Sequence, residues 1–309
     1  AALEIAIGYE ASGGGKVRIV DGSSLKTETN WTSGVYWSHN QGTEGRPYGL
    51  ALGDLDGDGT AELAMGGDLG YLWVVDAITP EIYVGRDITF DEAEWYRDLR
   101  PDFDHQQIEN VWGIAMGQFD SDPALEIAVS TKQGWVGVFD GETEELQWKK
   151  DMRDGSDLDS LCYGLLAADL DENGIDELVV AQQSRLSVFI DGDPNEQVNR
   201  NNIDSGYGLA AADLFGSSRN ELVVADNGGD LHILGLSGTT LTTYQEWDSG
   251  VLMNSDAGVA ISLAHDNPCE RSLDRHPRER LELVAVGRNP QLGNQRLAAL
   301  DEPEVVRRE

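Results

Sequence analysis

The chain has little cysteine, little lysine and no long apolar run, and each shortage excludes something. Its two cysteines, Cys162 and Cys269, stand far apart in 309 residues. A disulfide framework needs an even set at framework spacings, so both are read as free thiols, and the count leaves the redox compartment open. Lysine occurs only at Lys16, Lys26, Lys132, Lys149 and Lys150, and 22 Lys+Arg face 56 Asp+Glu for a net charge of -34. Nucleic-acid affinity comes from Lys and Arg displacing counterions, so no nucleic-acid partner is expected. An acidic, lysine-poor surface fits either a protein of a salt-loving organism, where screening tolerates self-repulsion, or an ordinary acidic secreted protein. No segment approaches the ~18 apolar residues of a spanning helix, and no charged-then-apolar leader is present, so direct membrane insertion is not expected.

Glycine, by contrast, is abundant, at 36 residues, and it marks a repeat. An aromatic-Gly pair opens YGLALGDLDGDGTAELAMGG at Tyr48, WGIAMGQFDSDPALEIAVS at Trp112, YGLLAADLDENGIDELVVA at Tyr163 and YGLAAADLFGSSRNELVVA at Tyr207. An Ala-Gly pair opens a fifth copy at Ala257, and LEIAIG at Leu3 matches the second strand of a sixth, partial one. A period of roughly 50 residues indicates a solenoid or a propeller. The repeats run approximately over 1–47 (partial), 48–111, 112–162, 163–206, 207–256 and 257–309, forming one domain. Ala1 falls inside a repeat, so residues upstream are expected.

Alternation and turn residues divide each copy into strands A to D. In the copy at Tyr163, strand A covers Tyr163–Leu170, strand B Glu177–Ala181 and strand C Arg185–Ile190, with a turn at Asp191-Gly192. Trp31, Trp148 and Trp247 recur near the end of strand D as packing residues between units. Four short strands cannot bury both faces alone, so units must stack. Apolar A and B strands, buried on both sides, with small residues in strand A, predict an all-β propeller of six blades, each of four antiparallel strands. Seven are expected if upstream residues add a blade.

The A–B loops carry the chemistry. Asp54, Asp56 and Asp58 occupy loop positions 1, 3 and 5, Gly59 gives the turn, Thr60 offers a backbone carbonyl and Glu62 closes the set. Oxygen ligands in that number suit Ca²⁺. Asp169, Asp171, Asn173, Ile175 and Glu177 repeat the pattern. Gln118, Asp120, Asp122, Ala124 and Glu126 form a weaker third set, because Pro123 replaces the turn glycine and cannot take φ > 0. In the copy at Tyr207, Phe215 and Ser217 replace two carboxylates, and the Arg219 guanidinium is expected to stand in for a cation. The closing glutamate persists at Glu4, Glu221 and Glu282 where no metal is expected, so a second reading has it bonding amides of its own turn.

The copies at Tyr48 and Tyr163 resemble the FG-GAP/VCBS repeat family, the propeller repeats also found in integrin α-subunit heads, over essentially the whole chain. The resemblance implies calcium in the A–B loops on one face, and recognition of protein or glycan by loops on the other. The departures at Gln118, Phe215 and Leu263 set three copies apart from that pattern. On the opposite face the residues singled out are Tyr36 and Trp37 in one connection, with Trp95, Tyr96 and His105 in the next. Asp91 is expected to cap a short helix carrying Trp95, Tyr96 and Arg100. This set forms either an aromatic binding platform or a plug that seals the ring.

Five scattered histidines and the lack of a nucleophile elbow leave little ground for catalysis. The expectation is a non-catalytic, calcium-stabilised adhesion or recognition propeller, outside the cell or at its surface. Its rivals are a calcium-dependent polysaccharide lyase, a structural surface-layer or filament subunit that self-assembles through calcium, and, more weakly, a quinone-dependent dehydrogenase.

Overall fold

The computed structural model describes residues 4–11, 14–21, 27–32, 49–67, 70–76, 93–103, 110–153, 161–203, 208–226 and 230–248. Five antiparallel sheets follow one another along these residues, almost without helix. The first holds β1 (Glu4–Ala11), β2 (Gly14–Asp21) and β3 (Thr27–Thr32). The second holds β4 (Gly49–Gly53), β5 (Glu62–Gly66), β6 (Tyr71–Asp76) and β7 (Trp95–Asp98). The third holds β8 (Val111–Gly117), β9 (Glu126–Thr131), β10 (Trp135–Asp140) and β11 (Leu146–Asp151). The fourth holds β12 (Cys162–Ala168), β13 (Glu177–Gln182), β14 (Arg185–Phe189) and β15 (Gln197–Asn201). The fifth holds β16 (Gly208–Ala212), β17 (Glu221–Ala225), β18 (Asp230–Ser237) and β19 (Thr240–Asp248). Each pairs its strands in chain order, and the three-stranded first sheet corresponds to a copy without strand A.

The four complete sheets pack through their first strands: β4 lies against β8, β8 against β12, and β12 against β16. That convergence explains the glycine of the aromatic-Gly pair. A Cβ on Gly113 would lie 2.5 Å from Ser130 Oγ and 2.9 Å from Leu165 on the next sheet, and one on Gly117 would lie 2.4 Å from the Ala167 Cβ. The expectation that strands A and B are equally buried needs correction. Strands β5, β9, β13 and β17 are buried throughout, whereas β12 is half-buried beyond Cys162. The first strand has a free edge within its sheet, and its cover varies from sheet to sheet: β8 is mostly buried and β12 is not.

Strand limits also shift. Strand A of the fourth sheet ends at Ala168, because Leu170 turns into the loop and gives its N–H to Glu177 at 2.7 Å. Strand C ends at Phe189, and a 3-10 turn follows over Ile190–Gly192, with Asp191 (φ 48°) and Gly192 (φ 63°) left-handed at the expected turn. Trp31 and Trp247 occupy the same register, opposite Val17 and Leu231, but Trp148 sits one pleat further along, opposite Val138. Its ring meets Phe189 of the next sheet at 5.4 Å.

The largest correction concerns the long connection after β6. Trp95 and Tyr96 lie in β7, paired with Val74 and Trp73, and not in a helix. The helix α1 is Leu99–Asp102, capped by Asp98, whose carboxylate accepts from Arg100 N at 3.1 Å. Aromatic side chains favour a pleated, half-buried surface, and β6 offers one. Asp91, the expected cap, lies outside the described residues, as do Cys269, the copy at 257–309 and therefore the closure of the ring. Among the described residues no helix is long and apolar enough to cross a membrane.

Candidate metal centres

Strand order fixes where chemistry collects. In an up-and-down sheet the A–B loops and C–D turns share one end, and the B–C and D–A connections share the other. Four A–B loops are described at the first end, and they are closed by one repeated bond. The final glutamate of each accepts at Oε2 from the N–H of loop position 2: Glu62 from Leu55 at 2.6 Å, Glu126 from Phe119 at 2.5 Å, Glu177 from Leu170 at 2.7 Å and Glu221 from Leu214 at 2.8 Å. The reading in which this residue holds its own turn is therefore correct in the four described loops, including the one without carboxylates at positions 3 and 5.

The rest of each loop is a ladder of side-chain-to-amide bonds. Position 5 N–H donates to the position 3 carboxylate in three loops: Asp58 to Asp56 at 3.0 Å, Asp122 to Asp120 at 2.8 Å and Asn173 to Asp171 at 3.1 Å. The amides of Thr60, Ala124 and Ile175 donate in turn to Asp58, Asp122 and Asn173. Position 6 N–H donates to the position 1 carboxylate, Gly59 to Asp54 at 3.1 Å and Gly174 to Asp169 at 3.0 Å. Left-handed residues at positions 4 and 6 make this possible, at Gly57 and Gly59 and again at Glu172 and Gly174.

The third loop lacks that bond from both sides. Pro123 has no N–H, Gln118 has no carboxylate, and neither Ser121 nor Pro123 is left-handed. The expectation that this loop turns differently holds. Gln118 Nε2 instead donates to the carbonyls of Asp120, at 2.9 Å, and of Asp122.

Carboxylate oxygens of Asp54, Asp56 and Asp58 lie within 4.8 Å of one another, as do those of Asp120, Asp122 and Glu126, and those of Asp169, Asp171 and Glu177. These clusters can hold a metal ion. Glu62 closes the turn beside the first cluster, while in the other two the closing glutamate belongs to the cluster. Three oxygens in these sites have no hydrogen-bond partner although they are buried: Asp54 Oδ1, Glu126 Oε1 and Glu177 Oε1. A buried carboxylate oxygen without a donor costs desolvation energy that a cation would offset. Burial pushes Glu62, Glu126 and Glu177 each up to about 7, against the lowering effect of the Leu55, Phe119 and Leu170 amides, with neighbouring carboxylates adding to the rise. The residues present therefore fit a hard cation.

The fourth loop does not. Asp213 is held by the amides of Ser217 and Ser218 at 2.9 Å each, not by the Arg219 guanidinium, which is a correction to the expected stand-in. Its Phe215 is 56% exposed and meets Tyr244, 53% exposed, edge-on at 5.7 Å.

Solved structures resemble the chain in shape. A crystal structure of the mitotic checkpoint complex matches 84% of this chain and 65% of that one, at 13% identity and a TM-score of 0.56. A crystal structure of Chaetomium thermophilum Raptor matches 85% of this chain and 22% of that one, also at 13% identity, with a TM-score of 0.53. The likeness is one of fold, to WD40-like propellers. This chain thus spans less than two thirds of either chain's length. No protein-family model matches the chain, and no curated protein does.

The residues expected at the opposite end separate. Trp95 is 4% exposed and packs edge-on against Phe139 of the next sheet at 5.9 Å, which places it inside the body and off any platform. Tyr96 is half-buried on β7 between Tyr71 and Trp73, at 5.4 and 4.3 Å. Tyr36, Trp37 and His105 lie outside the described residues. Two arrangements were missed in the sequence. Asp226 and His232, both buried, pair at 3.0 Å across a B–C turn whose Asp230 amide also bonds Asp226, at 2.9 Å. The signal was the Asp-x3-Asp-x-His spacing around Gly228-Gly229. The second is the eighth loop position, which in three loops bonds to the loop of the preceding sheet.

Proposed function

We propose that this chain is a non-catalytic propeller of the FG-GAP/VCBS type, stabilised by calcium in its A–B loops, which recognises a protein or glycan outside the cell or at its surface. The observation that carries the reading is the recurrence, in three A–B loops, of an acidic cluster with a buried carboxylate oxygen left without a donor. Asp54, Asp56, Asp58 and the Thr60 carbonyl would hold the first ion, and Asp169, Asp171, Asn173, Glu177 and the Ile175 carbonyl the second. Asp120, Asp122, Glu126 and the Ala124 carbonyl would hold a weaker third. Calcium suits the all-oxygen donor set, since no thiol or imidazole belongs to these loops. In the same reading six blades close the ring and residues 257–309 supply the last. Recognition is then assigned to the connections opposite the loops, the segments that carry Tyr36, Trp37 and His105 in the sequence.

Calcium titration with a melting curve tests the metal half. Affinity on the order of 10⁻⁴ to 10⁻³ M is expected for such modules, with Tm rising as calcium is added because the ion binds the folded state. An unchanged Tm at saturating calcium refutes it. A screen of acidic polysaccharides tests the other half: release of unsaturated products would make the chain a lyase, while retention without cleavage supports recognition.

A further inference from the structure

In three of the four described A–B loops the eighth position reaches the loop of the preceding sheet. Leu125 N donates to Leu55 O at 3.2 Å, Asp176 N to Gln118 O at 2.7 Å, and Asn220 Nδ2 to Asp169 O at 2.9 Å. Three junctions between sheets therefore carry the same kind of link, each ending on position 1 or 2 of the loop before. The middle one is doubled, because Gln118 N also donates to Asp176 Oδ2 at 2.9 Å. That carboxylate sits where a Cβ on Gly117 would come within 2.8 Å, so the link also depends on glycine at 117.

We propose that Asp176 is a positioning residue that couples cation binding in the loop at 169–177 to cation binding in the loop at 118–126. This rests on the metal-loop reading above. Asp176 lies between Ile175 and Glu177, two groups that would bind the ion in its own loop. An ion there fixes Asp169, Asp171 and Glu177, and with them the backbone of Asp176. The two bonds between Asp176 and Gln118 then fix the main chain of Gln118, whose side-chain amide donates to the carbonyls of Asp120 and Asp122. The loop at 118–126 is the one with most to gain. It lacks the bond from position 6 to position 1 that orders the loops at 54–62 and 169–177. Its capacity for an ion has a separate mark in Glu126, fully buried with Oε1 unpartnered beside Asp120 and Asp122. Linkage is reciprocal, so filling 118–126 must tighten 169–177 by the same factor.

The test is calorimetric titration of the whole chain with calcium chloride. The heat of the 118–126 site is assigned by its loss in Asp120→Ala/Asp122→Ala. Emptying the neighbour with Asp169→Ala/Asp171→Ala should weaken the 118–126 site at least fivefold, the lower end of ordinary coupling. Asp176→Ala should weaken it similarly, and combining the two changes should add nothing. Asp176→Asn keeps an oxygen acceptor for the Gln118 amide, so it should retain the coupling. This separates the hydrogen-bonded route from simple loss of charge, and it gives a folded variant if the alanine form is unstable. A 118–126 affinity within twofold of the unaltered chain after its neighbour is emptied overturns the coupling and leaves the metal reading standing. So does Asp176→Asn behaving as Asp176→Ala, for the route. Absence of calcium heat in the unaltered chain overturns both.

Discussion

Replacing Glu177 by glutamine should stabilise the metal-free protein and weaken its response to calcium, two effects of opposite sign from one atom. The side chain is fully buried, its Oε2 takes the Leu170 amide, and its Oε1 has no partner. Burial holds its carboxyl near 7 instead of 4.5. At about 1.4 kcal/mol per pH unit, keeping it ionised costs the metal-free fold on the order of 3 kcal/mol at pH 8. Because the folded value is the higher one, this stability is fully present below about pH 4.5 and is lost as the pH rises through about 7. Glutamine keeps an acceptor for Leu170, sets an NH₂ group beside Asp169 and Asp171, and removes the charge. In chelator at pH 8, Tm should rise by up to roughly 5 °C, and its fall between pH 5 and 8 should flatten. In calcium the loss of one anionic ligand should weaken that site on the order of tenfold. Glu221→Gln is the internal control, since its loop makes the same bond to Leu214 without a carboxylate cluster. Melting curves with chelator and with calcium, on both variants, decide the matter. If Glu177→Gln lowers Tm in chelator and leaves the calcium increment unchanged, the glutamate only closes its turn and the argument fails.

Trp95→Ala should cost about 3 to 5 kcal/mol, the range for emptying a buried aromatic site, and show as a lower Tm with partner binding per folded molecule unchanged. Gly117→Ala should destabilise by about 1 to 3 kcal/mol, because its Cβ would lie 2.4 Å from that of Ala167; denaturant melts measure this. Cys162, fully buried with its thiol pushed up to about 12, should resist alkylation in the native protein and react only in denaturant, read by mass spectrometry.

The sequence repeat was enough to find the sheets because each copy carries its own turn residues and its own closing glutamate, and both act locally. The three acidic clusters were legible for the same reason: positions 1, 3, 5 and 9 of a loop are near one another whatever surrounds them. What escaped was set by neighbours. The strand at Trp95 is defined by pairing with Val74, across residues that carry no repeat signature. Asp176 and Asn220 look like ordinary loop residues until the preceding sheet is placed beside them. The half-exposure of β12, where β8 in the same place is mostly buried, depends on the neighbouring sheets and cannot be read from alternation along the chain.

The scarce cations follow the same logic of neighbours. Arg97, Lys150 and Arg200 lie on the outermost strands of consecutive sheets, each opposite the second residue of its own third strand: Leu72, Val136 and Leu186. Each reaches the following sheet. Arg97 lies 4.8 Å over the Phe139 ring and donates to Glu144 O at 2.6 Å, and Lys150 lies 5.0 Å over Phe189 and donates to Pro194 O at 2.6 Å. At the third junction Phe gives way to Leu234, and Arg200 donates to Thr243 Oγ1 at 2.8 Å. The contacts made on the next sheet are to ring faces, carbonyls and a hydroxyl, not to carboxylates. Such contacts are partly desolvated and depend less on ionic strength than surface ion pairs do. A chain with a net charge of -34 gains little from single surface ion pairs. Arg97 shows both uses at once, paired with Asp102 of its own segment at 2.6 Å and reaching across the seam to a ring face and a carbonyl.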